Sequence, residues 1–204
     1  MKNLSCSIMK GTLIGGVVCL LLQSQVSRAD FTFGRPTNLG PLINSPNSDF
    51  TECISADGLS LFFASNRDPG GYQDFDLWMA TRPAKDEDWG TPVHLGDAIN
   101  SRENEWTPCL SADGLELYYA KGPWGNTDIC VSNRNSLSEP WGPPENLGPE
   151  FNSSVWDDSP SITEDGLELY FNSSRSGNQD LYVSTRVSTS DPWGPVVNLG
   201  PIVN

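Results

Sequence analysis

Ser111-Ala112-Asp113-Gly114-Leu115-Glu116-Leu117-Tyr118-Tyr119 is the stretch on which the fold turns. Its Asp-Gly pair marks a tight hairpin turn, with glycine supplying a positive φ. The residues after the turn break strict alternation. A strand with one wet face alternates apolar and polar, whereas consecutive apolar residues such as Tyr118-Tyr119 mean that both faces are covered. The same stretch recurs as Ser55-Ala56-Asp57-Gly58-Leu59-Ser60-Leu61-Phe62-Phe63 and as Thr163-Glu164-Asp165-Gly166-Leu167-Glu168-Leu169-Tyr170-Phe171.

The match extends outward on both sides. Asn38-Leu39-Gly40 returns as His94-Leu95-Gly96, Asn146-Leu147-Gly148 and Asn198-Leu199-Gly200, at spacings of 56, 52 and 52 residues. Asn44, Asn100, Asn152 and Asn204 follow at a fixed distance, and the acids Asp49, Glu105 and Asp157 follow the first three of these. Asp76-Leu77-Trp78, Asp128-Ile129-Cys130 and Asp180-Leu181-Tyr182 align, as do Trp89-Gly90, Trp141-Gly142 and Trp193-Gly194. So many positions in one order, three times over, define a repeat. Each copy divides into four short strands; in the second they are predicted near Trp106–Ser111, Leu115–Lys121, Asp128–Asn133 and Pro144–Leu147. No stretch after the N-terminal segment has a sustained helical period. A four-stranded unit covered on both faces is a propeller blade between neighbours.

The pattern Ser-x-Asp-Gly-x-x-Leu-Tyr-Phe, a Gly-rich loop and then Asp-Leu-Tyr-Val resembles the WD40-like repeat called PD40, found in the TolB periplasmic propeller and in many exported bacterial proteins. The extension Trp-Gly-x-Pro-x-Asn-Leu-Gly-x-x-x-Asn is similar to the version in large outer-membrane-associated proteins. The resemblance covers residues 38–204. It implies an all-β propeller fold and leaves function open, because propellers host binding, scaffolding and many chemistries.

The expected architecture is therefore three four-stranded antiparallel blades, at 45–100, 101–152 and 153–204. Ahead of them, within 30–44, Thr37–Pro41 repeats the fourth-strand motif and is expected to form an orphan strand. Closed propellers have about 4–8 blades. Three blades imply an incomplete or open ring: a fragment of a longer propeller, closure by assembly of copies, or an arc with exposed edges that invite pairing. Self-association is the corresponding expectation.

Residues 1–29 read as a cleaved secretory signal: Lys2 and Lys10, an apolar run from Gly11 to Leu22, then Ser27-Arg28-Ala29 with small residues at −3 and −1. The run is shorter than the roughly 20 residues a permanent span needs. The lipoprotein reading is disfavoured by Val18 before Cys19. The remainder, 30–204, carries 9 basic residues against 26 acidic ones, a net charge of −17. Such a surface repels nucleic acid and favours cationic or metal-bearing partners. Export implies a secreted, periplasmic or cell-surface location. Cys53, Cys109 and Cys130 remain after the signal; an odd number excludes a complete disulfide framework and permits one bridge.

Candidate sites follow from blade geometry. The loop between second and third strands lies at the same end as the connection to the next blade. Asp49, Glu105 and Asp157 sit on the connections, while Arg67, Lys121 and Arg175 sit on or beside the loops. They form a polar binding rim, or each acid pairs with its local base. Trp124 and Trp156 are the better ligand candidates, since neither has an aligned Trp and both lie in predicted loops. Trp89, Trp141 and Trp193 recur in every copy and read as packing. Asp57, Asp113 and Asp165 read as turn chemistry, as do Asp76, Asp128 and Asp180. Asp68–Asp76 comes closest to a calcium loop, but its aligned copies are poorer in acids. His94 is the single histidine. That removes Ser-His-Asp and Cys-His catalysis and any His-based zinc cluster. No carboxylate has a context that marks it for glycosidase work. The expectation is a module without cofactor or catalytic residues that binds a protein or a glycan, or else a fragment of a polysaccharide-binding or polysaccharide-degrading propeller.

Overall fold

The computed structural model describes residues 34–67 and 74–204; the signal at 1–29 and most of the Asp68–Asp76 loop lie outside them. Thr37–Asn204 form one contact unit of three sheets, with no helix among the described residues. The first sheet is β1 (Asp49–Ile54), β2 (Ser60–Ser65), β3 (Asp76–Thr81) and β4 (Val93–His94). The second is β5 (Asn104–Leu110), β6 (Glu116–Gly122), β7 (Asp128–Asn133) and β8 (Glu145–Asn146). The third is β9 (Asp157–Ile162), β10 (Glu168–Ser173), β11 (Asp180–Thr185) and β12 (Val197–Asn198). Each is an antiparallel meander in sequence order, so all strand pairing lies within one repeat.

The local rules read from the repeat operate in every copy. Asp57 accepts from Ser55 Oγ at 2.6 Å and Leu59 N at 2.9 Å, which fixes the hairpin turn, and Gly58 sits at φ +73°. Asp113 and Asp165 repeat the arrangement. The Asn that ends each blade clamps its third strand. Asn100 Oδ1 accepts Leu77 N at 2.8 Å and its Nδ2 donates to Leu77 O at 3.0 Å; Asn152 and Asn204 hold Ile129 and Leu181 in the same way.

Second strands supply the core. Leu61, Leu117 and Leu169 are buried, as are Phe63, Tyr119 and Phe171. Side chains pointing to opposite faces of β6 enter different clusters: Leu117 and Tyr119 join Phe62, Leu77 and Ile99 between the first two blades, whereas Tyr118 joins Phe151, Leu169 and Phe171 between the last two. First strands line one side of the array, β1 against β5 and β5 against β9, and the first and third sheets do not touch among the described residues. The array is therefore an incomplete propeller.

One expectation changes. Thr37–Pro41 forms no strand. The fourth strand of a blade exists by pairing with its own third strand, as Val93–His94 pairs with Trp78–Met79, and no third strand precedes Thr37 among the described residues. The segment instead leads into a turn that places Ile43 in a cluster with Leu61, Phe63, Trp78, Ala80 and Trp89. It acts as a connector packed on the first blade.

Candidate functional site

The acids and bases expected on one rim are brought together, pair by pair. Arg67 Nη2 lies 2.6 Å from Asp49 Oδ1, Lys121 Nζ 3.1 Å from Glu105 Oε1, and Arg175 Nη2 3.2 Å from Asp157 Oδ1. Asp49 also accepts from Ser45 N, Ser45 Oγ and Ser65 Oγ. Arg67 further donates to the carbonyls of Leu42 and Ile43, and Arg175 to those of Glu150 and Phe151. These groups latch the incoming connector onto the blade it enters. In the second blade Pro123 stands where the arginine would be, and Lys121 reaches the longer Glu105 instead. Burial raises Asp49, but donors on Ser65, Arg67 and Ser45 together hold it below the ordinary carboxylate value. Glu105, wholly buried, goes the other way: burial outweighs Ser101 and Lys121 and pushes it up.

Trp124 and Trp156 do meet, around a third indole that sequence reasoning did not single out. Trp106 on β5 and Trp156, just before β9, stack at 11° with centroids 6.1 Å apart. Trp124, in the β6–β7 loop, stands edge-on to both, at 4.9 and 5.0 Å. Phe50 and Phe75 continue the aromatic row toward the first blade. Trp106 is 3% exposed and Trp124 69%, so the cluster runs from core to solvent. Nothing aligned in the other copies reproduces it: Trp124 matches Ser176, and Trp156 matches Asn104 and Ser48.

The polar part of this cluster is incomplete. Trp106 Nε1, Trp156 Nε1 and Asp158 Oδ1 are buried without a hydrogen-bond partner among the described residues. Asp158 occupies, on β9, the position that Trp106 has on β5 and Phe50 on β1. Burial raises its carboxyl, and neighbouring donors on Ser159, Asn172 and Trp156 lower it in turn without reaching Oδ1 in bonding geometry. Directly after these positions Thr107 and Ser159 adopt φ of 49° and 53°, at the bulge each first strand carries. Left-handed conformations at non-glycine residues are uncommon and cluster where surrounding structure imposes them. Ser159 N donates to Thr107 Oγ1 at 3.2 Å, which ties the two bulges together. Trp106 and Asp158 were visible in the repeat alignment as one position holding Phe, Trp and Asp, a variation that a purely structural position would not need.

Comparison with solved structures places this geometry. TolB from Acinetobacter baumannii superposes with a TM-score of 0.54 at 16% identity, over 76% of this chain and 33% of that one. The fold is TolB-type. Hydrazine synthase from Kuenenia stuttgartiensis gives 0.52 at 14% identity, over 77% and 26%. Zg3597, a family 117 glycoside hydrolase from Zobellia galactanivorans, gives 0.50 at 16%, over 76% and 55%. The chain thus spans between a quarter and about half of the length of these structures. No family model and no curated protein matches it.

The remaining candidates in this TolB-type array have local partners. Asp128 and Asp180 accept from Asn146 and Asn198, and Asp76 lies 3.5 Å from His94 Nε2. His94 stands at the Asn position and accepts from Gly96 N through Nδ1, as Asn146 accepts from Gly148 N. Cys53, Cys109 and Cys130 are free thiols. Cys53 Sγ accepts from Leu110 N at 3.1 Å and Cys109 Sγ from Ile162 N at 3.4 Å, each across a blade boundary. Trp89, Trp141 and Trp193 each lie under an arginine, Arg82, Arg134 and Arg186, at 4.3, 4.2 and 4.3 Å. These arginines follow the third strand in every copy, a recurrence the sequence reading passed over.

Proposed function

We propose that the chain is a non-catalytic binding module of an exported protein, made of PD40-type repeats, and that its ligand is a glycan held at Trp124. The observation that supports this is the three-tryptophan cluster: it breaks the repeat and ends in a solvent-exposed indole. Aromatic faces match the apolar faces of sugar rings, and the exposed Trp124 indole offers one. The acidic balance of 30–204 favours neutral or amino sugars over sulfated or uronic chains. A protein partner is the other occupant that the same rim would suit, and it predicts no glycan binding at all.

The test is a glycan panel titrated against the full chain and its Trp124→Ala variant. Binding to one glycan class, weakened at least about ten-fold by the substitution, supports the reading. Binding that Trp124→Ala leaves unchanged, or none across the panel, overturns it. Release of new reducing ends from a bound glycan would instead make the module catalytic.

A further inference from the structure

We propose that the groove between the first and second sheets, on the rim opposite Trp124, binds a small organic acid: its carboxylate pairs with Arg134 and its apolar stem lies along Phe62, Met79 and Leu137. The argument comes from comparing two grooves of one molecule. On the hairpin rim, each blade boundary makes a groove from the Asp-Gly turns of two neighbours and the arginine after the third strand of the later one; Arg134 stands between the two grooves and lines both.

Between the second and third sheets that arginine is neutralised across the boundary. Arg186 donates to Glu116 through Nη2 at 3.0 Å and Nη1 at 3.5 Å, and Tyr118 Oη donates to the same carboxylate at 3.1 Å. Between the first and second sheets the repeat places Ser60 where Glu116 stands and Phe62 where Tyr118 stands. The arginine differs in one bond: Arg134 Nη1 donates to Leu137 O at 3.3 Å, where Arg186 Nη1 points at Glu116. Arg134 stacks on Trp141 at 4.2 Å and donates Nε to Gly114 O at 2.8 Å, as Arg186 stacks on Trp193 and bonds Gly166 O at 2.7 Å. Its Nη2 is thus held near the place that receives a carboxylate next door, and among the described residues no ion pair to it forms. Burial depresses Arg134, and an incoming anion would relieve that.

The space suits such a ligand. The groove measures about 380 Å3, within the range of small-molecule sites. Phe62 and the half-buried Met79 form its floor, and Leu137 stands where the other groove has Thr189. Asp57 and Asp113 line it too, but their carboxylates are turned into their own hairpins, onto Ser55 and Leu59 and onto Ser111 and Leu115. Asp113, Glu164 and Asp165 line the other groove, where a carboxylate sits against Arg186 all the same. Neighbouring acids therefore do not bar one. A guanidinium fork and a carboxylate are matched in shape as well as charge.

Hexanoate, with hexanamide as its uncharged control, is titrated calorimetrically into the full chain at low ionic strength. Hexanoate should bind at one site, at least about ten-fold tighter than hexanamide. Ser60→Glu should abolish binding without lowering the melting temperature, because it rebuilds the Glu116–Arg186 pair in the first groove. Glu116→Ser should expose Arg186 and raise the stoichiometry toward two. Trp124→Ala should leave hexanoate binding intact, which separates this site from the glycan rim. Equal binding of hexanoate and hexanamide, no binding at millimolar concentration, or undiminished binding by Ser60→Glu each overturns the proposal.

Discussion

The two outward faces of the array come from one repeat and end up differently. On the first blade Leu61, Phe63, Trp78 and Ala80 are at most 6% exposed, packed with Ile43 and roofed by the Arg67 guanidinium at 4.7 Å from the Phe63 ring. On the third blade the outward positions are open. Tyr170 and Val183 are only half-buried, Leu181 is 38% exposed, and Val197, Ile202 and Val203 are more so. Tyr118 and Ile129, aligned with Tyr170 and Leu181, are at most 1% exposed, as is Phe62, where the next blade covers them. A blade therefore covers its own faces very little. The connector before it and the blade after it do so, which is how repeat arrays divide their stability between units and interfaces.

The interior baseline is the largest effect expected. Leu117→Ala, in the blade covered on both sides, should cost about 2–5 kcal/mol in denaturant unfolding. A change within about 0.5 kcal/mol would put Leu117 on a surface and undo the contrast. Next comes the cap. Ile43→Ala should cost about 2 kcal/mol, whereas Val203→Ala at the aligned position should stay within about 0.5 kcal/mol. Equal costs would show that the connector does not hold the first face.

The latch of the cap gives a smaller, pH-dependent effect. Asp49 has a depressed carboxyl in the folded chain, so its contribution is present above the ordinary value near ~3.9 and is lost as pH falls through the folded value. Asp49→Asn should destabilise by about 1–2 kcal/mol at pH 7 and by much less near pH 3, read from melting temperatures across pH. Glu105→Gln should show the opposite trend. Its folded carboxyl is raised, so the wild-type group costs stability as pH climbs above the ordinary value near ~4.3. The smallest effect on stability belongs to the open face. Val197→Lys should leave unfolding within about 0.5 kcal/mol of wild type while weakening concentration-dependent association in sedimentation, because exposed apolar patches promote association. A wild-type chain that stays monomeric at high concentration would show that this face has no tendency to pair.

The sequence by itself determined the blades. Turn residues, strand order, core leucines and the meander within each repeat all follow from local chemistry repeated at fixed spacing, where Asp-Gly specifies a turn and consecutive apolar residues specify a covered strand. It also placed Trp124 and Trp156 in loops and the acids beside their bases. Only the tertiary structure decided which residues from different blades meet. Trp106 joins Trp124 and Trp156 because β5 and β9 lie side by side, a contact between blades that the residues of one repeat do not specify. Arg186 finds Glu116 70 residues away while Arg134 finds no carboxylate among the described residues, because the partner is set by the neighbouring blade and not by the arginine's own repeat. Thr37–Pro41 carries the motif of a fourth strand and forms none, since a strand is a pairing and its motif supplies only one side.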